Sequence, residues 1–149
     1  MRVAIVSGYF NPLHVGHLDY IESAKLASDY LHVIVNSDEQ VDVKGTVPFM
    51  NEQDRLRIIK SIIDVDEASI AIDKDGTVVE SILELKNHYD ETFLSPEIVF
   101  MNGGDRKYDN SPEDRSCNAA GILTLYNVGG DKVKSSSKII RDSAKVHSK

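Results

Sequence analysis

Ser7-Gly8-Tyr9-Phe10-Asn11-Pro12-Leu13-His14-Val15-Gly16-His17, residues 7–17, decides how the chain is read. Into it runs Met1–Ser7, apolar and β-branched, the pattern of a buried strand that meets a turn at Gly8. Out of it runs Val15–Ser28, where Leu18, Ile21, Ala24 and Leu26 recur near helical spacing. A strand-to-helix junction is where a sheet protein holds a phosphate, because the free N–H groups and positive end of the helix point outward there. Gly8 lets the backbone approach a ligand closely. Pro12 fixes the turn. His14 and His17 are three apart and share one face as the helix opens, with Gly16 leaving room between them. Two imidazoles there suit a polyphosphate, because they can donate to its oxygens and to charge developing at phosphorus. A bare His-x-x-His pair reads equally well as a surface pair or a metal site. The strand–glycine–proline context favours the phosphate.

Beyond this junction, strand and helix patterns alternate. Tyr30–Asn36 is a continuous apolar run of the kind a parallel sheet buries. Ser37–Phe49 is polar, contains Gly45 and Pro48, and reads as a loop. Asn51–Ile63 reads as an amphipathic helix with Leu56, Ile59, Ile62 and Ile63 on one side, Asn51 as N-cap and Asp54 in its first turn. A third strand is expected over Ala68–Ile72, a third helix over Thr77–Lys86 and a polar connection over Asn87–Ser95. Glu97–Met101 reads as the fourth strand, ending in Asn102-Gly103-Gly104-Asp105. Arg106–Arg115 is charged and turn-rich, either a substrate lid or a solvated loop. A short helix over Ser116–Ala120, a fifth strand over Ile122–Tyr126, a loop over Gly129–Lys134 and a last helix over Ser136–Val146 complete the reading. The expected fold is α/β: a single Rossmann-like domain over residues 1–149, with a five-stranded parallel sheet, helices on both faces and ligands at the carboxyl ends of the strands.

Composition sets limits. With 149 residues, 41% hydrophobic and 28% charged, the chain is of ordinary globular make-up and long enough for one sizeable core. No run approaches the ~20 apolar residues of a membrane span. The N-terminal apolar run lacks a small-residue cleavage site and reads as a strand rather than a signal peptide. Twenty-four acidic and 17 basic side chains leave a net charge of −7. That disfavours nucleic acid and anionic membranes as partners, so any phosphate must be held by a local cluster. Cys117 alone excludes an internal disulfide and a cysteine-rich zinc site, and fits the cytoplasm. It reads as a small buried apolar group, His32 as a core residue, and His88 and His147 as exposed. Asp73-Lys74-Asp75-Gly76 begins like a calcium loop, but its twelfth position, Glu84, falls inside an apolar helical pattern, so the stretch reads as a turn.

The residues 7–17 resemble the His-x-Gly-His signature of the cytidylyltransferase-like nucleotidyltransferase superfamily, with Asn11 where most members carry Asp. Lys134-Ser135-Ser136-Ser137-Lys138-Ile139-Ile140-Arg141 looks like the superfamily's hydroxyl-rich motif at the start of its last helix. Three hydroxyls at a helix start supply donors and a positive dipole end. Asn36-Ser37-Asp38, Lys44-Gly45, Pro48 and Gln53-Asp54-Arg55 follow the family's order, and Asn102-Gly103-Gly104-Asp105 resembles the turn that ends its fourth strand. The resemblance covers residues 3–142. It implies transfer of a nucleotidyl group from a nucleoside triphosphate to a phosphorylated small molecule, with Mg²⁺ as the triphosphate's counter-ion and a homodimer as the usual assembly.

By the same resemblance, His14 and His17 serve the α-phosphate, and Lys44, in the loop after the second strand, bridges triphosphate and acceptor. Ser135, Ser136 and Ser137 hold the leaving pyrophosphate, with Arg55 or Arg141 nearby. Gly8, Tyr9, Phe10, Gly16, Gly103 and Asp105 line the nucleotide, and no resident metal ligand is implied. Two subfamilies compete. Asn36-Ser37-Asp38, Lys44-Gly45 and Gly103-Gly104-Asp105 look closer to sugar-phosphate adenylyltransferases, such as the domain that makes ADP-heptose. The glycerol-3-phosphate cytidylyltransferases carry an arginine before the serine motif, where this chain has Lys132 and Lys134. The lean is to a sugar-phosphate enzyme, with ATP and CTP both open, and Asn87–Ser95 reads as an insertion relative to both. A non-catalytic nucleotide-binding domain would predict damaged motifs. A dinucleotide-binding protein would need a Gly-x-Gly-x-x-Gly after the first strand, which is missing.

Overall fold

The computed structural model describes residues 1–103 and 111–129. Five strands form one all-parallel sheet in the order β3-β2-β1-β4-β5. They are β1 (Arg2–Gly8), β2 (Tyr30–Val35), β3 (Glu67–Ile70), β4 (Glu97–Gly103) and β5 (Leu123–Val128). The helices are α1 (Val15–Leu26), α2 (Asp38–Lys44), α3 (Glu52–Lys60), α4 (Val79–Thr92) and α5 (Pro112–Ala120). The chain builds outward from β1 to β3, then crosses back to lay β4 on the other side of β1. The strand order therefore reverses between β1 and β4, the place in such sheets where ligands bind at the carboxyl edge.

Strand alternation sorts the core into two layers. Val3, Ile5, Ile34, Ile98 and Phe100 face α4 and α5, meeting Ile82, Leu85, Tyr89 and Cys117. Ala4, Val6, Leu31, Val33, Val35, Val99 and Met101 face α1 and α3, meeting Ile21, Ala24 and Ile59. Helices thus cover both faces, as the continuous apolar strands require. Among the described residues, no helix is long and apolar enough to cross a membrane.

Four expectations need correction. Residues 37–49 are not all loop, because Asp38–Lys44 is helical. Ser37 and Gln40 form a reciprocal capping box and Gly45 ends the helix at φ 86°, so both ends are stabilised although only Gln40 and Val41 are buried. Asn87–Ser95 is not a polar connection through most of its length, since α4 runs on to Thr92 and buries Tyr89 one turn beyond Leu85. Ile63 does not join the apolar side of α3: the helix stops at Lys60 with Ser61 as its cap, and Ile63 is 97% exposed. The stretch 106–115 is not one loop, because α5 starts at Pro112 behind an N-cap at Ser111. The last expected helix lies outside the described residues.

Two buried residues off the site bear out their readings. His32 is 3% exposed, its Nδ1 2.8 Å from the Tyr89 hydroxyl and its Nε2 2.7 Å from Ser69 Oγ. Burial, the largest influence, pushes its pKa down to about 4. Cys117 is buried, and burial pushes its thiol up to about 12. Asp73 does more than turn the chain. Val78 gives α4 no side-chain cap, and the buried Asp73 carboxylate instead accepts from Glu80 N at 2.7 Å, Ser81 N at 3.1 Å and Ser81 Oγ at 2.5 Å.

Candidate active site

His14 is the N-cap of α1, in extended conformation. Its Nδ1 accepts from Gly16 N at 3.0 Å, and its own N–H donates to His17 Nδ1 at 3.1 Å. The two imidazoles are the side chains of a capping box. This fixes their chemistry. Each Nδ1 lone pair is spent on a backbone N–H, so each neutral ring carries its proton on Nε2. The rings stack 3.7 Å apart at 23°, and Phe10 meets His17 edge-on at 5.0 Å. Burial, and then the neighbouring His14, push His17 down to about 4, and burial lowers His14 too. The pair is therefore two neutral, pre-aimed N–H donors at a helix N-terminus.

A groove of about 350 Å³ lies beside it, lined by Tyr9, Phe10, Asn11, Pro12, His17, Lys44, Thr46, Val47 and Phe49. Lys44 is the last residue of α2 rather than a loop residue, and its Nζ stands 4.2 Å from the centroid of the Tyr9 ring. The Tyr9 phenol is raised by burial and by the nearby Glu113 charge, which brings the start of α5 to this edge of the sheet. A second depression, of about 390 Å³, borders the start of β3, with Lys60, Val65, Asp66, Glu67 and Ala68 around it. Its carboxylates are already engaged: Asp66 by Lys25 and Leu31 N, Glu67 by the Tyr30 and Tyr89 hydroxyls.

Arg55 is placed differently from the expectation of a phosphate contact. It is 1% exposed, and four of its hydrogen bonds hold the protein itself. Nε donates to Met50 O at 3.0 Å, Nη1 to Tyr9 O at 2.9 Å and Asn36 O at 2.6 Å, and Nη2 to Asp38 Oδ1 at 2.7 Å. The guanidinium ties the loop after β1, the end of β2, the start of α2 and the entry to α3. Asn11 works alongside it. Its Nδ2 donates to Val47 O at 3.1 Å, and its Oδ1 accepts from Phe49 N at 2.5 Å and Met50 N at 3.3 Å. Residues 47–50 are thus pinned to the groove while Val47 and Phe49 remain 81% and 76% exposed.

The glycines have local reasons. A Cβ on Gly8 would stand 2.7 Å from the Phe10 ring, and one on Gly103 would stand 2.6 Å from the Tyr20 ring. Each makes room for an aromatic ring of the protein. Gly16 is buried within the first turn of α1 and supplies the N–H that fixes His14. Tyr20 also donates from its hydroxyl to Met101 O. Asp105, Ser135, Ser136, Ser137 and Arg141 lie outside the described residues. Sequence reasoning missed Asn11 as a clamp, Glu113 near Tyr9, and Gln40, whose amide donates to Asp75 O at 2.9 Å and Thr77 O at 2.7 Å.

A parallel sheet whose first strand runs into two oriented imidazoles, with a lysine lining the same groove as His17, marks out a candidate nucleotide site on an α/β fold. The chain belongs to the cytidylyltransferase-like family, whose model matches residues 5–142, and it is a nucleotidyltransferase. It is 28% identical over 141 residues to an FAD synthase of Picrophilus torridus, covering 92% of each chain. It is 29% identical over 131 residues to the bifunctional protein HldE of Actinobacillus succinogenes, covering 82% of this chain and 27% of that one. Among solved structures, the lipopolysaccharide core biosynthesis protein from Thermoplasma volcanium superposes with a TM-score of 0.67 at 27% identity, over 85% of this chain and 94% of that chain.

Proposed function

We propose that the chain transfers AMP from ATP to the phosphate of a small-molecule acceptor and releases pyrophosphate. The observation that carries this reading is the imidazole capping box, which leaves Nε2–H as the donor of each neutral ring at the start of α1. An acceptor phosphate oxygen attacks the α-phosphorus. The new P–O bond forms as the bond to the β-phosphate bridge breaks, and pyrophosphate leaves with that electron pair. The acceptor is already anionic, so no general base is required, and alignment with charge stabilisation does most of the work. His14 and His17 donate to the α-phosphate oxygens, and Lys44 spans triphosphate and acceptor. Arg55 acts through the backbone it holds. Mg²⁺ supplies charge neutralisation and arrives with the triphosphate.

ATP as donor is supported by the FAD synthase relatives, since FAD is an adenylylated flavin phosphate. One observation turns the acceptor away from the sugar phosphate favoured by the turn motifs. The pinned, exposed Val47 and Phe49 give the groove an apolar flank, which suits a planar ring such as that of a flavin phosphate better than a polyhydroxylated sugar.

A pyrophosphate-release assay with the four nucleoside triphosphates and Mg²⁺ tests this against FMN, sugar 1-phosphates and glycerol 3-phosphate. Release is expected with ATP and FMN, with kcat lowered at least about 100-fold in His17→Ala. Release with a sugar phosphate alone moves the acceptor back to that class. Release with CTP and glycerol 3-phosphate reverses the donor. No release from any pair, or near-normal kcat in His17→Ala, overturns the mechanism.

A further inference from the structure

We propose that Tyr9 is a positioning residue for Lys44, its ring holding the ammonium at the mouth of the groove without neutralising it. The inference rests on reading that groove as the site of nucleotide phosphates.

A lysine at the end of a helix has four rotatable bonds and much rotamer freedom to lose when it binds a phosphate. Proteins often restrain such a side chain with a carboxylate. Lys25, Lys74 and Lys86 are held that way here, by Asp66 at 2.7 Å, Glu39 at 3.4 Å and Asp90 at 2.7 Å. A carboxylate on Lys44 would compete with the incoming anion. Its Nζ stands instead 4.2 Å from the Tyr9 ring centroid, and no carboxylate among the described residues pairs with it. An aromatic face attracts a cation but leaves its charge and N–H donors available.

Both sides of the contact are anchored by the same group. Arg55 Nη1 holds Tyr9 O at 2.9 Å, and Nη2 holds Asp38 Oδ1, at the start of the helix that ends in Lys44, at 2.7 Å. Gly45 stops α2 in the left-handed conformation, which sets the exit of Lys44 beside the groove that His17 also lines. Ring, lysine and imidazole therefore border one space, and the backbone of Tyr9 and the start of the helix that carries Lys44 are fixed through one buried guanidinium.

The test is a double-mutant cycle read by calorimetric titration of ATP with Mg²⁺, with thermal unfolding of each variant as the folding control. Tyr9→Leu is expected to raise the Kd for ATP about two- to fivefold, the range of an exposed cation–π contact. Tyr9→Phe keeps the ring face and recovers most of that loss. In a Lys44→Ala background, Tyr9→Leu adds nothing further, because the ring has no ammonium left to hold. Independent, multiplying losses overturn the proposal, as does a Tyr9→Phe variant as weak as Tyr9→Leu. If Lys44→Ala weakens binding and Tyr9→Leu does not, the Tyr9 assignment alone fails. If the unaltered protein does not bind ATP, the reading of the groove fails and this inference with it.

Discussion

Arg55→Lys separates a residue that holds the site together from one that touches the ligand. The substitution keeps the positive charge and discards the planar fork. In the fold, four donor bonds from one guanidinium serve Met50 O, Tyr9 O, Asn36 O and Asp38 Oδ1, at 2.6–3.0 Å. An ammonium is a single point. It can keep the Asp38 pair or reach one carbonyl, so at least two buried or part-buried carbonyls lose their partner, each at about 1–3 kcal/mol where water cannot replace it. A total near ~3 kcal/mol is the central expectation, and for a chain of this size it lowers Tm by about 6–12 °C. Thermal unfolding followed by circular dichroism without nucleotide reads this directly. The loss is expected in the absence of ligand, with kcat falling as Tyr9 and residues 47–50 lose their tether. A Tm within about 2 °C of the parent, together with a KM for ATP raised about tenfold, would refute the reasoning and return Arg55 to the phosphates.

Four further outcomes are expected. In nucleotide-free protein, ¹H–¹⁵N spectra should show His14 and His17 as neutral Nε2–H tautomers at neutral pH, with His14 charging below its ordinary range and His17 half charged only near pH 4; a cationic pair at neutral pH would contradict the capping geometry. His32 is neutral when folded, with a pKa near 4 against 6.5 for the unperturbed side chain, so its contribution to stability is full above pH 6.5 and is lost as pH falls toward 4. His32→Gln should remove about one proton, or ~1.4 kcal/mol per pH unit, from the slope of stability in that window; an unaltered slope in denaturant titrations would show that His32 charges within the fold. Gly8→Ala should push the Phe10 ring, and with it the edge contact on His17, costing about 1–3 kcal/mol by overpacking and lowering kcat in the pyrophosphate assay. Asp73→Asn, which loses a charged acceptor of three bonds, should lower Tm by several degrees, about 1.5–3 kcal/mol for each charge-assisted bond lost in full. The same change at Asp114, 2% exposed and without a hydrogen-bond partner for either carboxylate oxygen among the described residues, should not; the opposite ranking would reverse the roles.

The sheet was legible because its inner strands are uninterrupted apolar runs, and the site because glycine, proline and two histidines fall on one strand-to-helix junction. What was missed shares a physical cause. α2 is stabilised at its two ends rather than along its side, and a polar seven-residue helix shows no apolar stripe; Ser37, Gln40 and Gly45 were the available signal. The last turns of α4 are polar except for Tyr89, which continues the spacing of Ile82 and Leu85. Arg55 could not be told from a solvated helix arginine, because its partners are backbone carbonyls brought together from Tyr9, Asn36 and Met50 only by folding. Asn11 was noticed as a departure from a motif, whereas its work is to bind a loop 36 to 39 residues away.

The imidazole capping box has one more consequence. Each ring accepts from a backbone N–H at Nδ1 and keeps its proton on Nε2, so the two sides of a ring are parts of one polarisable chain, and the His17 ring also lines the groove. An anion drawing on Nε2–H makes Nδ1 more basic and strengthens its hold on the first turn of α1. On the function proposed above, the helix start and the phosphate reinforce one another through a conjugated ring, with no proton changing place. α1 carries Ile21 and Ala24 into the core, so its first turn joins the imidazole pair to the interior.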